Sequence, residues 1–206
     1  MSESAAAPSR AGEVWAFLRT LAILFIIAII LRGTVVEAFK IPSESMVPTL
    51  QKGDHILVSK FSYGLRLPFV AKTLYRWDTP KRGDIVVFTR PDDPATTDED
   101  ESSVNIIKRV IGLSGDLVEV RGTRLYVNHT RMDEPWARYI EGGMRNDFGE
   151  EKVPEGSIFL LGDNRDQSRD SRFWNDPFLP IERVKGRALI IYWSWHDIAR
   201  IGKILR

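Results

Sequence analysis

At 206 residues the chain is long enough for one folded domain and an appended segment. A formal charge of +1 supplies no field that would hold nucleic acid. The absence of cysteine excludes disulfides, thiolate metal sites and a thiol nucleophile.

Residues 1–13 are small and polar and are expected to be a flexible N-terminus. Residues 14–36 follow as an apolar segment, with an unbroken run from Leu21 to Leu31 closed by Arg32. A bilayer core needs roughly 20 apolar residues of helix, and Val14 to Leu31 nearly supplies them if Arg19 reaches back to a headgroup. A cleaved signal peptide would end in an Ala-x-Ala-like site, which the residues after Leu31 lack. A buried core helix is the other rival, but a segment apolar all round fits lipid better. The segment therefore predicts a transmembrane anchor. Arg10 and Arg19 on one side nearly balance Arg32 and Lys40 on the other, so charge alone does not orient it.

From residue 37 to 206 the pattern is short β-branched and aromatic runs split by Gly, Pro and Asn turns. Strands are predicted at 54–58, 84–88, 105–111, 117–120, 124–127, 157–161 and 188–195, and no ten-residue amphipathic helix interrupts them. The expected fold is mainly β, an antiparallel-sheet or barrel-like domain. The acidic run at 91–103 reads as a solvated loop, and 132–151 as an insertion or flap. Trp193 and Trp195 read as core residues, with an exposed edge resting on a bilayer as the rival. The segment 198–206 is either a final helical turn or a contact for anionic headgroups.

His55, His129 and His196 are scattered and sit in no triad context, and no His-Glu-x-x-His is present. A serine nucleophile here would need an amine or a carboxylate as its base. Ser45 lies in Ile41-Pro42-Ser43-Glu44-Ser45-Met46-Val47-Pro48, bracketed by prolines that restrict the backbone. Lys108 lies among Ile106, Ile107 and Val110. To act as a base near neutral pH its pKa has to fall by about 3 from 10.4, a differential stabilisation of about 4 kcal/mol. Burial among isoleucines would do this. A hydroxyl-rich turn and a strand-edge lysine in water explain the same residues from spacing alone.

Three blocks in order resemble bacterial signal peptidase I, a family of serine–lysine dyad proteases. They are Pro42 to Leu50, Ile107 to Asp116, and Gly162-Asp163-Asn164-Arg165-Asp166-Gln167-Ser168-Arg169-Asp170-Ser171-Arg172. The resemblance implies a membrane-anchored serine endopeptidase that removes signal peptides from exported preproteins after small residues at −1 and −3. It implies Ser45 as nucleophile and Lys108 as general base. Ser43 is then an oxyanion donor and Ser168 the residue that orients the Lys108 amine. Asp163, Asp170 and Arg172 brace the site, with Arg109 as a partner. Phe39, Ile41, Pro42, Leu50, Ile106 and Ile107 would line the substrate pockets.

The family needs no metal or cofactor. Its partners are signal-peptide-bearing preproteins and the lipid bilayer, not nucleic acid. Its single-anchor members keep the N-terminus cytoplasmic and the catalytic domain outside a bacterial inner membrane. A small inserted β region is expected around 115–155. Glu44 departs from the pattern, standing where many members have Gly. The rival functions are a serine–lysine self-cleaving regulator, disfavoured by an anchor where a DNA-binding segment would stand, and an inactive anchored scaffold or chaperone, disfavoured by the full set of site residues.

Overall fold

The structure is a computed structural model that describes residues 10–66, 73–89, 105–140 and 147–205, excepting the side chains of 10, 11, 26–34, 66, 73 and 74. The acidic run at 91–103, residues 141–146 of the expected flap and most of the expected flexible N-terminus lie outside these.

A helix, α1 (Arg10–Thr34), begins the described chain. Its described side chains from 12 to 25 are exposed, including Val14, Trp15, Phe17, Leu21, Leu24 and Phe25. Among the described residues, no helix is long and apolar enough to cross a membrane. The apolar run from residue 26 to 31 falls among the undescribed side chains. The helix stops short of the expected segment end at 36, because Val36 already belongs to the first strand.

The strands are β1 (Val36–Lys40), β2 (Asp54–Ser59), β3 (Gly64–Arg66), β4 (Thr73–Arg76), β5 (Ile85–Thr89), β6 (Asn105–Gly112), β7 (Leu117–Arg121), β8 (Arg124–Val127), β9 (Thr130–Arg131), β10 (Phe148–Lys152), β11 (Ser157–Leu161), β12 (Phe178–Pro180) and β13 (Val184–Ser194). Seven form one antiparallel sheet in the order β1-β2-β13-β5-β6-β11-β12. A four-stranded sheet, β10-β7-β8-β9, is inserted between β6 and β11, and β3-β4 is a separate hairpin.

Side chains on a strand alternate between faces, and the inner strands use both. On β5, Ile85 and Val87 enter one core cluster with Met46, Leu50, Ile56 and Ile107. Val86 and Phe88 enter a second with Val110, Ile158, Leu160 and Trp174. β11 likewise divides between this second cluster and a third, shared with the inserted sheet. That is why 85–88 and 157–161 read as continuous apolar runs rather than alternating ones. The inserted sheet approaches closely at Gly112, where a Cβ would stand 2.6 Å from Val118 Cγ2 and 3.0 Å from Phe159 Cβ.

The tail is tied down rather than loose. A 3₁₀ turn at Ile198–Arg200 leads into Leu205, which is buried and donates its N–H to Leu189 O at 2.8 Å. Trp193 and Trp195 do not pack in the core. They are 42% and 70% exposed and meet edge to face at the end of β13, where Trp193 still pairs with His55 of β2.

Candidate active site

The Ser45 turn is pegged to the core on one side. Met46 and Leu50 are fully buried, Leu50 N–H donates to Met46 O at 2.9 Å, and Ile41 exchanges backbone bonds with Asp54 O and Gly53 N. Arg200 adds an anchor from the tail, donating to Thr49 O at 2.9 Å while paired with Asp54. Ser45 is thereby held nearly buried, with Ser43 Oγ 3.4 Å from its own Oγ.

Lys108 reaches the same point from β6. Its Nζ donates to Ser45 Oγ at 2.7 Å and to Ile107 O at 3.2 Å. The side chain is 4% exposed, and burial pushes its pKa down from 10.5 to about 8, against the opposing pull of Asp170 and Asp163. Neither carboxylate is an ion-pair partner of the amine. Asp163 is held by Arg109 Nε and Nη2 at 2.8 and 2.7 Å, and Asp170 by Arg172 Nε and Nη2 at 2.8 and 3.0 Å. Each neighbouring negative charge is thus matched locally, which leaves the amine desolvated without a counterion.

The third block closes over the turn. Asn164 N–H donates to Ser45 O at 3.1 Å, and Asn164 Nδ2 to Glu44 O at 3.1 Å. Gly162 is obligatory here, since a Cβ would meet Ser168 Oγ at 2.1 Å and Ser45 O at 2.5 Å. Ser168 is buried in this corner, but its Oγ has no hydrogen-bond partner, so the expected bond to the Lys108 amine is not made.

A cleft of about 340 Å³ fronts Ser45 and Lys108, lined by Pro42, Ser43, Asn105, Ile106 and Ile107, with Gln167, Arg169 and Trp174. Of the expected pocket residues, Pro42, Ile106 and Ile107 line it. Ile41 faces a neighbouring cavity instead. Phe39 is partly buried against the core, and Leu50 is fully buried as a peg of the Ser45 turn and lines neither cavity.

Sequence reasoning missed a brace formed by residues 134–139. Arg165 is buried and donates to both Glu134 oxygens, to Tyr139 Oη at 3.0 Å and to Gly162 O at 3.0 Å. Trp136 lies against Arg109, its ring centroid 4.5 Å from the guanidinium carbon. Arg138 bridges in parallel to Asn164. The sequence carries no local signal for it: a buried guanidinium requires an acidic partner, but nothing beside Arg165 in the chain points to Glu134, 31 residues earlier.

A family model described as "Signal peptidase, peptidase S26" matches residues 14–193. A signal peptidase I of Pseudomonas fluorescens is 39% identical, with 85% of this chain and 70% of that protein covered. A signal peptidase I of Leptolyngbya laminosa is 34% identical over 97% of this chain and 89% of its own. A solved signal peptidase I of Enterococcus faecalis is 30% identical, covering 53% of this chain and 97% of that one, with a TM-score of 0.41.

Proposed function

The chain belongs to the peptidase S26 family of signal peptidases and is a serine endopeptidase, and we propose that it cleaves preproteins with a Ser45–Lys108 dyad held at a membrane surface. The observation that carries this reading is the 2.7 Å contact between Lys108 Nζ and Ser45 Oγ, made by an amine whose pKa is lowered by burial.

With Lys108 neutral, the bond reverses and the Ser45 hydroxyl donates to the amine lone pair. Ser45 Oγ attacks the scissile carbonyl as Lys108 takes its proton. The oxyanion accepts from the Ser45 N–H and the Ser43 hydroxyl; one such donor contributes about 3 kcal/mol to the transition state. Collapse breaks the C–N bond, Lys108 returns the proton to the leaving amine, and an ester remains on Ser45. Water then attacks the ester and gives one proton to Lys108; the acyl C–Oγ bond breaks, Lys108 passes that proton to Ser45 Oγ, and the signal peptide leaves as a carboxylic acid that ionises in solvent. Ser168, whose hydroxyl is unpaired at rest, takes the Lys108 bond while Ser45 is acylated. Arg109, Asp163, Asp170 and Arg172 keep the surrounding charges fixed.

The residues at −1 and −3 are small because the 340 Å³ cleft with walls at Ile106, Ile107 and Pro42 rejects bulk by overlap. The apolar segment at 14–36 serves as a single-pass anchor, with the N-terminus cytoplasmic and 37–206 as the catalytic domain outside the cell membrane. Full-length protein in detergent with a radiolabelled preprotein tests the mechanism. Ser45→Ala and Lys108→Met should each abolish cleavage, and a product band surviving in both variants would sink the dyad.

A further inference from the structure

A second cavity, of about 940 Å³, lies beside the Ser43–Ser45 turn. Pro42 lines both this cavity and the Ser45–Lys108 cleft, so the two adjoin across the turn that bears the nucleophile. Three exposed cations line the second cavity: Lys40 at the end of β1, Lys52, and Arg138 from the brace. Glu44 and His196 are also in its wall. None of the three cations has a carboxylate partner among the described residues.

The frame that presents these charges is rigid. Gly53 N–H donates to Ile41 O at 2.9 Å, and Gly53 is packed so that a Cβ would meet His196 Nε2 at 3.1 Å. Arg138 is fixed by its own backbone, which donates to Asp163 O at 2.7 Å and accepts from Arg165 N–H at 3.0 Å. The long cationic side chains therefore spring from a fixed rim around an open space.

A chain cut at Ser45 has two halves. The half before the scissile bond occupies the smaller cleft, where the apolar walls are. The half after it has to leave across the nucleophile turn, and the adjoining cavity is the space that receives it. At about 3.3 Å per residue, roughly three extended residues span a cavity of this size. We propose that this cavity is the subsite for the first residues after the cut, and that Lys40, Lys52 and Arg138 select an acidic side chain there. The proposal rests on the hydrolase reading above. Glu44 opposes the three cations, so it moderates the preference and penalises a substrate whose acidic residue lies close to the cut.

The test uses full-length protein in detergent and three preproteins with one signal peptide and one cut site. They carry Glu, Ala or Lys at positions 2 to 4 after the bond, and kcat/KM is measured for each. The ratio of Glu to Lys substrates is read within each enzyme, so a general loss of activity cancels. Wild type should favour Glu over Lys by about threefold to tenfold at low salt, as expected for exposed charge pairs, and less at high salt. Lys40→Gln/Lys52→Gln/Arg138→Gln should bring the ratio near one, and Glu44→Gln should raise it above wild type. A wild-type ratio of one, or a ratio unmoved by the triple substitution, overturns the subsite. The triple variant is also floated with vesicles of anionic lipid. Lost vesicle binding with an unchanged substrate ratio would make this wall a headgroup contact and overturn the subsite as well. Failure of wild type to cleave even the Ala preprotein would remove the hydrolase reading, and the subsite with it.

Discussion

In the proposed dyad, Lys108 is the residue at which function and stability oppose each other. The unfolded chain holds its proton up to about the ordinary 10.5, while the folded chain holds it only to about 8. Below pH 8 both states carry the proton, so the folded state bears the full cost of a buried ammonium, about 3 kcal/mol. Between 8 and 10.5 the unfolded state binds more protons, and stability rises with pH. Lys108→Met fills the same space without a charge. It should therefore raise urea stability at pH 7 by about 1 to 3 kcal/mol while abolishing cleavage, and the gain should vanish above pH 10.5. The same titration sets the rate: kcat/KM should climb with an apparent midpoint near 8. A midpoint near 10 would mean that the amine is solvated in solution. Ser45 and Lys108 were legible in the sequence as a pair only through the blocks around them. What the sequence did not carry is the reason Lys108 loses its proton. That reason is non-local: burial in the folded body desolvates the amine, and Asp170 and Asp163, which pull the other way, are held by Arg172 and Arg109.

At the scale of elements, the strands that were legible are those with a buried apolar face. β2, β5, β6, β7, β8 and β11 fall within a residue or two of their expected bounds. β1 was not expected: only its first residue, Val36, was read into the apolar segment, and Val36 to Lys40 is too short to show a period of its own. β9, β10 and β12 were missed for a related reason. β9 and β10 have mostly exposed side chains, and β12 is three residues long, so none has a periodicity to read. The brace at 134–139 was illegible because its partners are distant: Glu134 meets Arg165, and Trp136 meets Arg109. Its role predicts an asymmetric effect. Glu134→Ala leaves the Arg165 guanidinium buried without its carboxylate, which costs about 3 to 5 kcal/mol. The loss should appear as a lower melting temperature, and as a fall in kcat, because Arg165 holds the Gly162 carbonyl behind Ser45. Glu134→Ala with unchanged melting and rate would show that the brace is dispensable.

At the scale of the whole molecule, the described residues form a β body that holds the proposed dyad and a helix that adds little to its core. The described side chains of α1 are exposed, and the helix meets the body chiefly at β1. Among the described residues, the three core clusters contain none before Ile41, with Phe39 packed at the edge. Removing residues 1–34 should therefore leave the body's urea stability within about 0.5 kcal/mol, the usual range for changes outside the core. Activity should separate by substrate. For a short soluble peptide spanning the cut site, kcat/KM should be unchanged, because Ser45, Lys108 and both cavities lie in the body. For a preprotein whose signal peptide sits in a vesicle bilayer, the proposed anchor would bring the full chain to its substrate on a shared surface, where tethering raises the effective concentration. Loss of that tether should lower the rate by on the order of 10². Equal rates for the two forms on the vesicle substrate would assign recruitment to the body itself, with the exposed Trp193 and Trp195 the first surface to test.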